Sequence, residues 1–183
     1  VIGLTLDNEI PLTAEERVDI AKRIIDTAKE YGIDKKDIII DCFTLTASAQ
    51  QKEVKETLKA VDMVNAMGVC TVLGVSNVSF GLPNRALLNR TFLTLAMNAG
   101  LNLPIINPLD NELMGTIDAF NVINYFDIDS EHYIKKQSNQ NAEQKVTTKT
   151  DFTLSEIIKK GLKEEVVEAC KKELETTEPL TVV

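Results

Sequence analysis

An α/β fold on a parallel sheet is predicted by three features of the sequence. A strand-then-helix theme repeats through roughly the first 130 residues, the strands read as continuous apolar runs, and polar residues gather just past the strand ends. Strands buried on both faces lose the polar alternation of a half-exposed sheet, so helices on the faces are expected. An open doubly wound sheet and half of an eight-stranded barrel share this pattern.

The first strand spans Val1 to Leu6 and ends at Asp7. Thr13 with Glu16 then forms a capping box, because hydroxyl and carboxylate each satisfy an orphan amide at a helix start. The helix carries Val18, Ala21, Ile25 and Ala28 on one face and stops near Gly32. Ile38 to Ile40 is the second strand, closed by Asp41 and followed by a helix over residues 51–67 with Val54, Leu58, Val61 and Val64 or Asn65 turned inward. Thr71 to Val75 is the third, ending on Ser76-Asn77, with a helix from about Pro83 to Ala99. Pro104 to Ile106 is the fourth, ending at Asn107 and leading to a helix near residues 111–125. Residues 135–152, beginning KKQSNQNAEQKVTTKTD, bury too little to offset their ordering entropy and read as a polar linker. Leu154, Ile157 and Ile158 mark a short helix, and Val166, Val167, Cys170 and Leu174 mark another.

The chain has 183 residues, 44% of them hydrophobic, and a formal charge of -8. An acidic chain without a basic block argues against nucleic acid or an anionic membrane as the main partner. No apolar run approaches the roughly 20 residues that cross a bilayer, and no signal peptide opens the chain, so a cytoplasmic protein is expected. The strand-like start at Val1 suggests a piece of something longer. Cys42, Cys70 and Cys170 lie too far apart for a disulfide framework or local zinc motif, and each reads as a small apolar residue, so no metal site is expected. The lone histidine, His132, has no partner set for a hydrolytic triad. Neither GxxxxGK[ST] nor GxGxxG occurs, so nucleotide binding has no support.

The run GVSNVSFGLPNR, followed by LLNRTFL and AMNAGL, closely resembles the pterin-binding barrel of corrinoid-dependent methyltransferases. That family includes cobalamin-dependent methionine synthase and the methyltetrahydrofolate:corrinoid iron-sulfur protein methyltransferases. The resemblance implies that residues 1–134 are the C-terminal half of a (β/α)8 TIM barrel, whose strand ends converge on one mouth. The segment LSEIIKKGLKEEVVEACKKELETTEPL is similar to the helices that open the cap before a cobalamin-binding domain, which would make residues 153–183 the start of that cap.

Asp41 matches the family aspartate that binds the pterin. An ionised carboxylate suits the adjacent N–H donors of a pterin ring, and a carboxylate directly after Ile-Ile-Ile is costly unless something donates to it. Family members often have Asp-Pro here, whereas this chain reads Asp41-Cys42-Phe43; the alternative is a solvated Asp at a helix start. Asn77 matches the family's catalytic asparagine in its GxSNVS context. Methyl transfer from a tertiary amine needs positive charge to build on the departing nitrogen, and a neutral amide can either donate to that atom or accept from it. Arg85 matches a family arginine set against the pterin, with a surface ion pair as the plainer reading. Ser76 and Ser79 are candidates for orienting Asn77 or the ring, and Ser76 counts among the pterin contacts. Asp7 and Asn107 are further strand-end candidates, although Asp and Asn commonly cap helices and end strands.

By this resemblance the parent moves the methyl of 5-methyltetrahydrofolate to cob(I)alamin, with the cobalamin held by a downstream domain. The partners implied are tetrahydrofolate species and a corrinoid-carrying domain or protein. Two alternatives stay open: a dihydropteroate-synthase-like enzyme, disfavoured because that family carries a basic residue where this chain has Asn77-Val78, and a noncatalytic assembly fragment. Half a barrel leaves two open sheet edges, so the chain is expected to be weakly active or inactive alone and to pair with the missing half or a second copy.

Overall fold

A computed structural model describes residues 1–137, 157 and 163–174. The chain divides into two compact units, Val1–Tyr133 and Ile134–Val183. In the first, four strands alternate with four helices: β1 (Ile2–Leu4), α1 (Ala14–Glu30), β2 (Ile39–Asp41), α2 (Gln51–Asn65), β3 (Cys70–Gly74), α3 (Arg85–Asn98), β4 (Leu103–Ile105) and α4 (Asn111–Ile123). The strands are parallel and lie in sequence order, β1-β2-β3-β4. In this unit every strand and helix expected from the apolar pattern is present. Strand bounds move by one residue in β2, β3 and β4, and β1 stops at Leu4, so Asp7 stands on a loop three residues past its strand.

The helix signals act as the sequence implies. Thr13 Oγ1 accepts the Glu16 amide while Glu16 Oε2 accepts the amides of Thr13 and Leu12, closing the capping box at α1. Asp110 caps α4 by accepting from the Leu113 amide. Val18, Ala21, Ile25 and Ala28 are all buried, and on α2 the inner residue is Val64, with Asn65 exposed.

The two sheet faces differ. A Cβ on Gly3 would stand 2.7 Å from the Ile24 side chain of α1, so Gly3 and its register partners Ile40 and Thr71 face the helices. Ile40, Thr71 and Leu73 on that face are fully buried beneath α1, α2 and α3. The alternate row faces away from the helices. It contains Ile2, Leu4, Ile39, Asp41, Cys70, Val72, Leu103 and Ile105, and Ile2 and Ile105 are 66% and 62% exposed. The continuous apolar runs therefore come from a sheet apolar on both sides, of which the described residues cover one.

Past α4, residues 131–137 are helical, three residues into the expected linker. The rest of that linker lies outside the described residues. In the second unit Ile157 is helical and buried, and a helix spans Lys163–Leu174, with Val166 and Cys170 partly buried and Val167 and Leu174 exposed. The other residues of the expected cap lie outside the described residues. No helix among the described residues is long and apolar enough to cross a membrane.

Candidate functional site

Parallel strands point the same way, so Asp41, Ser76, Asn77 and Asn107 emerge at one end of the sheet. Asp41 is the last residue of β2 and sits on the uncovered face, in register with Leu4 and Val72. Its carbonyl accepts from both the amide and the hydroxyl of Thr5, at 2.9 and 3.0 Å, which anchors its backbone to the start of the β1–α1 loop. Its carboxylate is half-buried. Oδ1 accepts the Phe43 amide at 2.9 Å, and no other bond to the carboxylate is made among the described residues. Burial pushes the Asp41 carboxyl above its ordinary range, and the Phe43 amide pulls the other way without cancelling it. The donor is the amide of residue 43, not 42, so the departure from Asp-Pro leaves this arrangement intact.

Two threads tie the Asp41 loop to the Asn77 loop. The Ala47 amide donates to the Val78 carbonyl at 2.9 Å, and the Ser48 hydroxyl donates to the Phe80 carbonyl at 2.8 Å. Asn77 lies in a 3-10 turn over Val75–Ser79 whose Val75 and Val78 are buried and whose Ser76 and Asn77 are exposed. The Asn77 side chain folds back over the strand end, where a Cβ on Gly74 would approach its Nδ2 to 3.1 Å. Glycine keeps that approach open. The Asn77 amide has no hydrogen-bond partner among the described residues, so both its donor and its acceptor are available.

Arg85 pairs with no carboxylate among the described residues. Its Nε donates to Ser79 Oγ and its Nη2 to the Ser76 carbonyl, each at 3.0 Å, and Ser79 Oγ donates to the same carbonyl at 3.2 Å. Ser79 is fully buried and Arg85 exposed, so the pair clamps the turn that presents Asn77. Asn107 shapes its own turn, accepting the Leu109 amide on Oδ1. Asp7 points to α1, where it accepts from Arg23 at 2.6 Å; that hydrogen bond holds its carboxyl below the ordinary range. The structure thus joins the loops of Asp41 and Asn77, with Ser79 and Arg85 supporting Asn77. It leaves Asp7 in an ion pair and Asn107 in a local turn.

Sequence reading passed over Arg17. This residue is fully buried in α1 and bonds the loop after Asp41. Its signal was present, since residues 17, 21, 24, 25 and 28 fall on one helical stripe.

The comparisons with known proteins meet this geometry. The Pterin binding enzyme model matches residues 9–107, just over half the chain, a stretch that holds Asp41, Ser76, Asn77, Ser79, Arg85 and Asn107 but not Asp7. The chain belongs to the pterin binding enzyme family. It is 38% identical over 117 residues to methionine synthase of Mycobacterium leprae (strain TN), an overlap covering 58% of this chain and 10% of that protein. It is 30% identical over 122 residues to methylcorrinoid:tetrahydrofolate methyltransferase of Eubacterium limosum, covering 65% of this chain and 45% of the relative. The chain thus spans a tenth to under half of these relatives. A pterin-binding enzyme of this family implies a barrel-like fold, and the four parallel strands are consistent with part of one.

Proposed function

We propose that this pterin binding enzyme carries part of the site at which a methyl group passes between a tetrahydrofolate and a corrinoid. The observation that carries the reading is Asp41. It is a half-buried carboxylate with one oxygen occupied by Phe43, on a loop bonded to the turn that bears Asn77. Its remaining acceptor capacity suits the paired N–H donors of a pterin's pyrimidine edge. A carboxylate raised by burial gains most from donors that arrive with the ligand.

Asn77 serves the reacting nitrogen. With 5-methyltetrahydrofolate as donor, solvent at this exposed turn protonates the nitrogen, the Asn77 amide oxygen accepts from the resulting N–H, and that N–H stays on the tetrahydrofolate when the C–N bond to the methyl breaks. The same two groups serve the opposite direction, which is the one named for the Eubacterium limosum relative. Arg85 and Ser79 hold the turn, Ser76 stands beside Asn77 at the pterin edge, and Asp7 and Asn107 remain outer candidates. The corrinoid, when present, supplies the cobalt that takes or gives the methyl; as cobalamin it would be held by a separate downstream domain. Methyl transfer to cob(I)alamin, as in a methionine synthase, is the preferred direction.

A domain division at 1–134, 135–152 and 153–183 accompanies this reading, with the last segment opening a cobalamin cap. The uncovered apolar sheet face favours a second element of the reading. The site is completed when further strands close the barrel, supplied by the missing half or by a second copy, and the chain alone is weakly active or inactive.

Calorimetric titration of 5-methyltetrahydrofolate tests the assignment, using the chain alone and joined to the strands that complete the barrel. Binding to the completed barrel that falls at least tenfold in Asp41→Ala, about 1.4 kcal/mol, supports the pterin role. Asn77→Ala is expected to bind the ligand but lose at least a hundredfold in methyl transfer, within the range for a group acting on a reacting proton. A completed barrel that does not bind sinks the reading.

A further inference from the structure

A guanidinium with no exposure and no carboxylate in hydrogen-bond contact is expensive, because burying a charge costs several kcal/mol unless bonding compensates. Among the described residues Arg17 is such a group. Its Nε donates to the Pro11 carbonyl at 3.1 Å, and its Nη1 donates to the carbonyls of Cys42 and Phe43 at 3.3 and 3.2 Å and to Thr57 Oγ1 at 2.7 Å. Nη2 is buried with no partner among the described residues. Desolvation dominates its electrostatics, and the carboxylates of Glu56, Glu53 and Glu16 oppose it only through space.

The bonds of this cation converge on one loop. Phe43 is held from both sides: its amide donates to Asp41 Oδ1, and its carbonyl accepts from Arg17 and from Thr57 Oγ1 at 3.2 Å. Phe43 also has φ 63°, a left-handed conformation that is strained for a non-glycine residue. Something must hold it there. The fork of Arg17, spanning the Pro11 loop, the Cys42-Phe43 peptides and α2, provides that hold.

We infer that Arg17 is a positioning residue for the pterin site: by fixing the Phe43 peptide it orients the Asp41 carboxylate so that one oxygen is engaged and the other is presented to the ligand. The inference rests on the pterin role of Asp41, but the orientation can be measured without a ligand. Asp41 ends β2; the thiol of the next residue, Cys42, is pushed up to about 12 by burial and so stays neutral, and the charged neighbour of this loop is Arg17 itself.

The test is an NMR titration of the full chain, following the Asp41 carboxyl carbon and the Phe43 amide. In the wild type both move with one midpoint. In Arg17→Met the Phe43 amide is expected to stop reporting Asp41, and the Asp41 midpoint to rise further. Arg17→Lys keeps the charge but not the planar fork, and is expected to restore neither. Thr57→Val removes one of the fork's acceptors with Arg17 in place and covers the case in which Arg17→Met does not fold; the same uncoupling is expected. If the folded variants keep the Phe43 amide coupled to Asp41 at the wild-type midpoint, the inference is overturned. 5-Methyltetrahydrofolate is then titrated into the completed barrel, where Arg17→Met is expected to weaken binding about tenfold. A wild type that fails to bind sinks the pterin role, while the carboxyl titration still decides what Arg17 does.

Discussion

The role proposed for Asp41 sets function against stability in one side chain. Burial raises its carboxyl above the ordinary 3.8, so the folded protein holds this proton more tightly than the unfolded chain does. Stability therefore falls as pH rises from the ordinary value through the raised one. Asp41→Asn keeps an oxygen for the Phe43 amide and removes the charge. It is expected to unfold at a higher temperature than wild type at neutral pH, with the gap closing below pH 3.8, and to lose pterin binding. Thermal unfolding at the two pH values checks this, and an unchanged gap would show that the carboxylate is not penalised by burial. The depressed carboxyls of Asp7, Glu16 and Glu56 have the opposite sign: their contribution is lost as pH falls, and comparison with wild type cancels it. The strand-end positions of Asp41 and Asn77 were legible in the sequence because each follows an apolar run, while the roles proposed for them come from the family resemblance. Arg17 was passed over because an arginine on an amphipathic helix ordinarily lies on the solvated side.

At the scale of elements, each helix both covers the sheet and places a loop. α1 starts at its capping box and brings Arg17 under the Asp41 loop one turn later. Thr13→Ala is expected to cost about 1 kcal/mol by denaturant unfolding. With it, Arg17 loses some definition, so a small weakening of pterin binding should accompany the loss of stability; a fall in stability with affinity intact would separate the cap from the site. α3 plays the matching part for Asn77 through Arg85 at its first position, and Arg90 pairs with Glu112 to tie α3 to α4. Strand ends moved by a residue relative to the sequence reading because ladder pairing, not apolar content, ends a strand. Ile38 is apolar and buried yet precedes β2, and Ile106 is apolar yet follows β4.

For the first unit as a whole, the uncovered sheet face dominates. Ile2, Leu4, Leu103 and Ile105 are each large, apolar and exposed, and covering such a side chain is worth about 1.5–3 kcal/mol. β1 and β4 also present unpaired edges among the described residues. The chain at micromolar concentration is therefore expected to associate, and Ile2→Lys with Ile105→Lys to return it to a monomer by light scattering. A wild-type chain that stays monomeric across that range would mean that this face is covered from within. The apolar runs led to the expectation of a sheet covered on both faces; that the described residues cover only one, and which one, came from the register and the exposures.

The sequence alone determined the order of strands and helices, the capping box, the parallel sheet and the placement of Asp41 and Asn77 at strand ends. These follow from local chemistry and periodicity, which a single chain displays directly. The tertiary structure decided that Arg85 clamps the Asn77 turn instead of pairing with an acid, that Asp7 is held by Arg23, and that Arg17 is buried behind Asp41. Each depends on which loop lies beside which helix, and such proximity arises only when the strands pair and the helices pack.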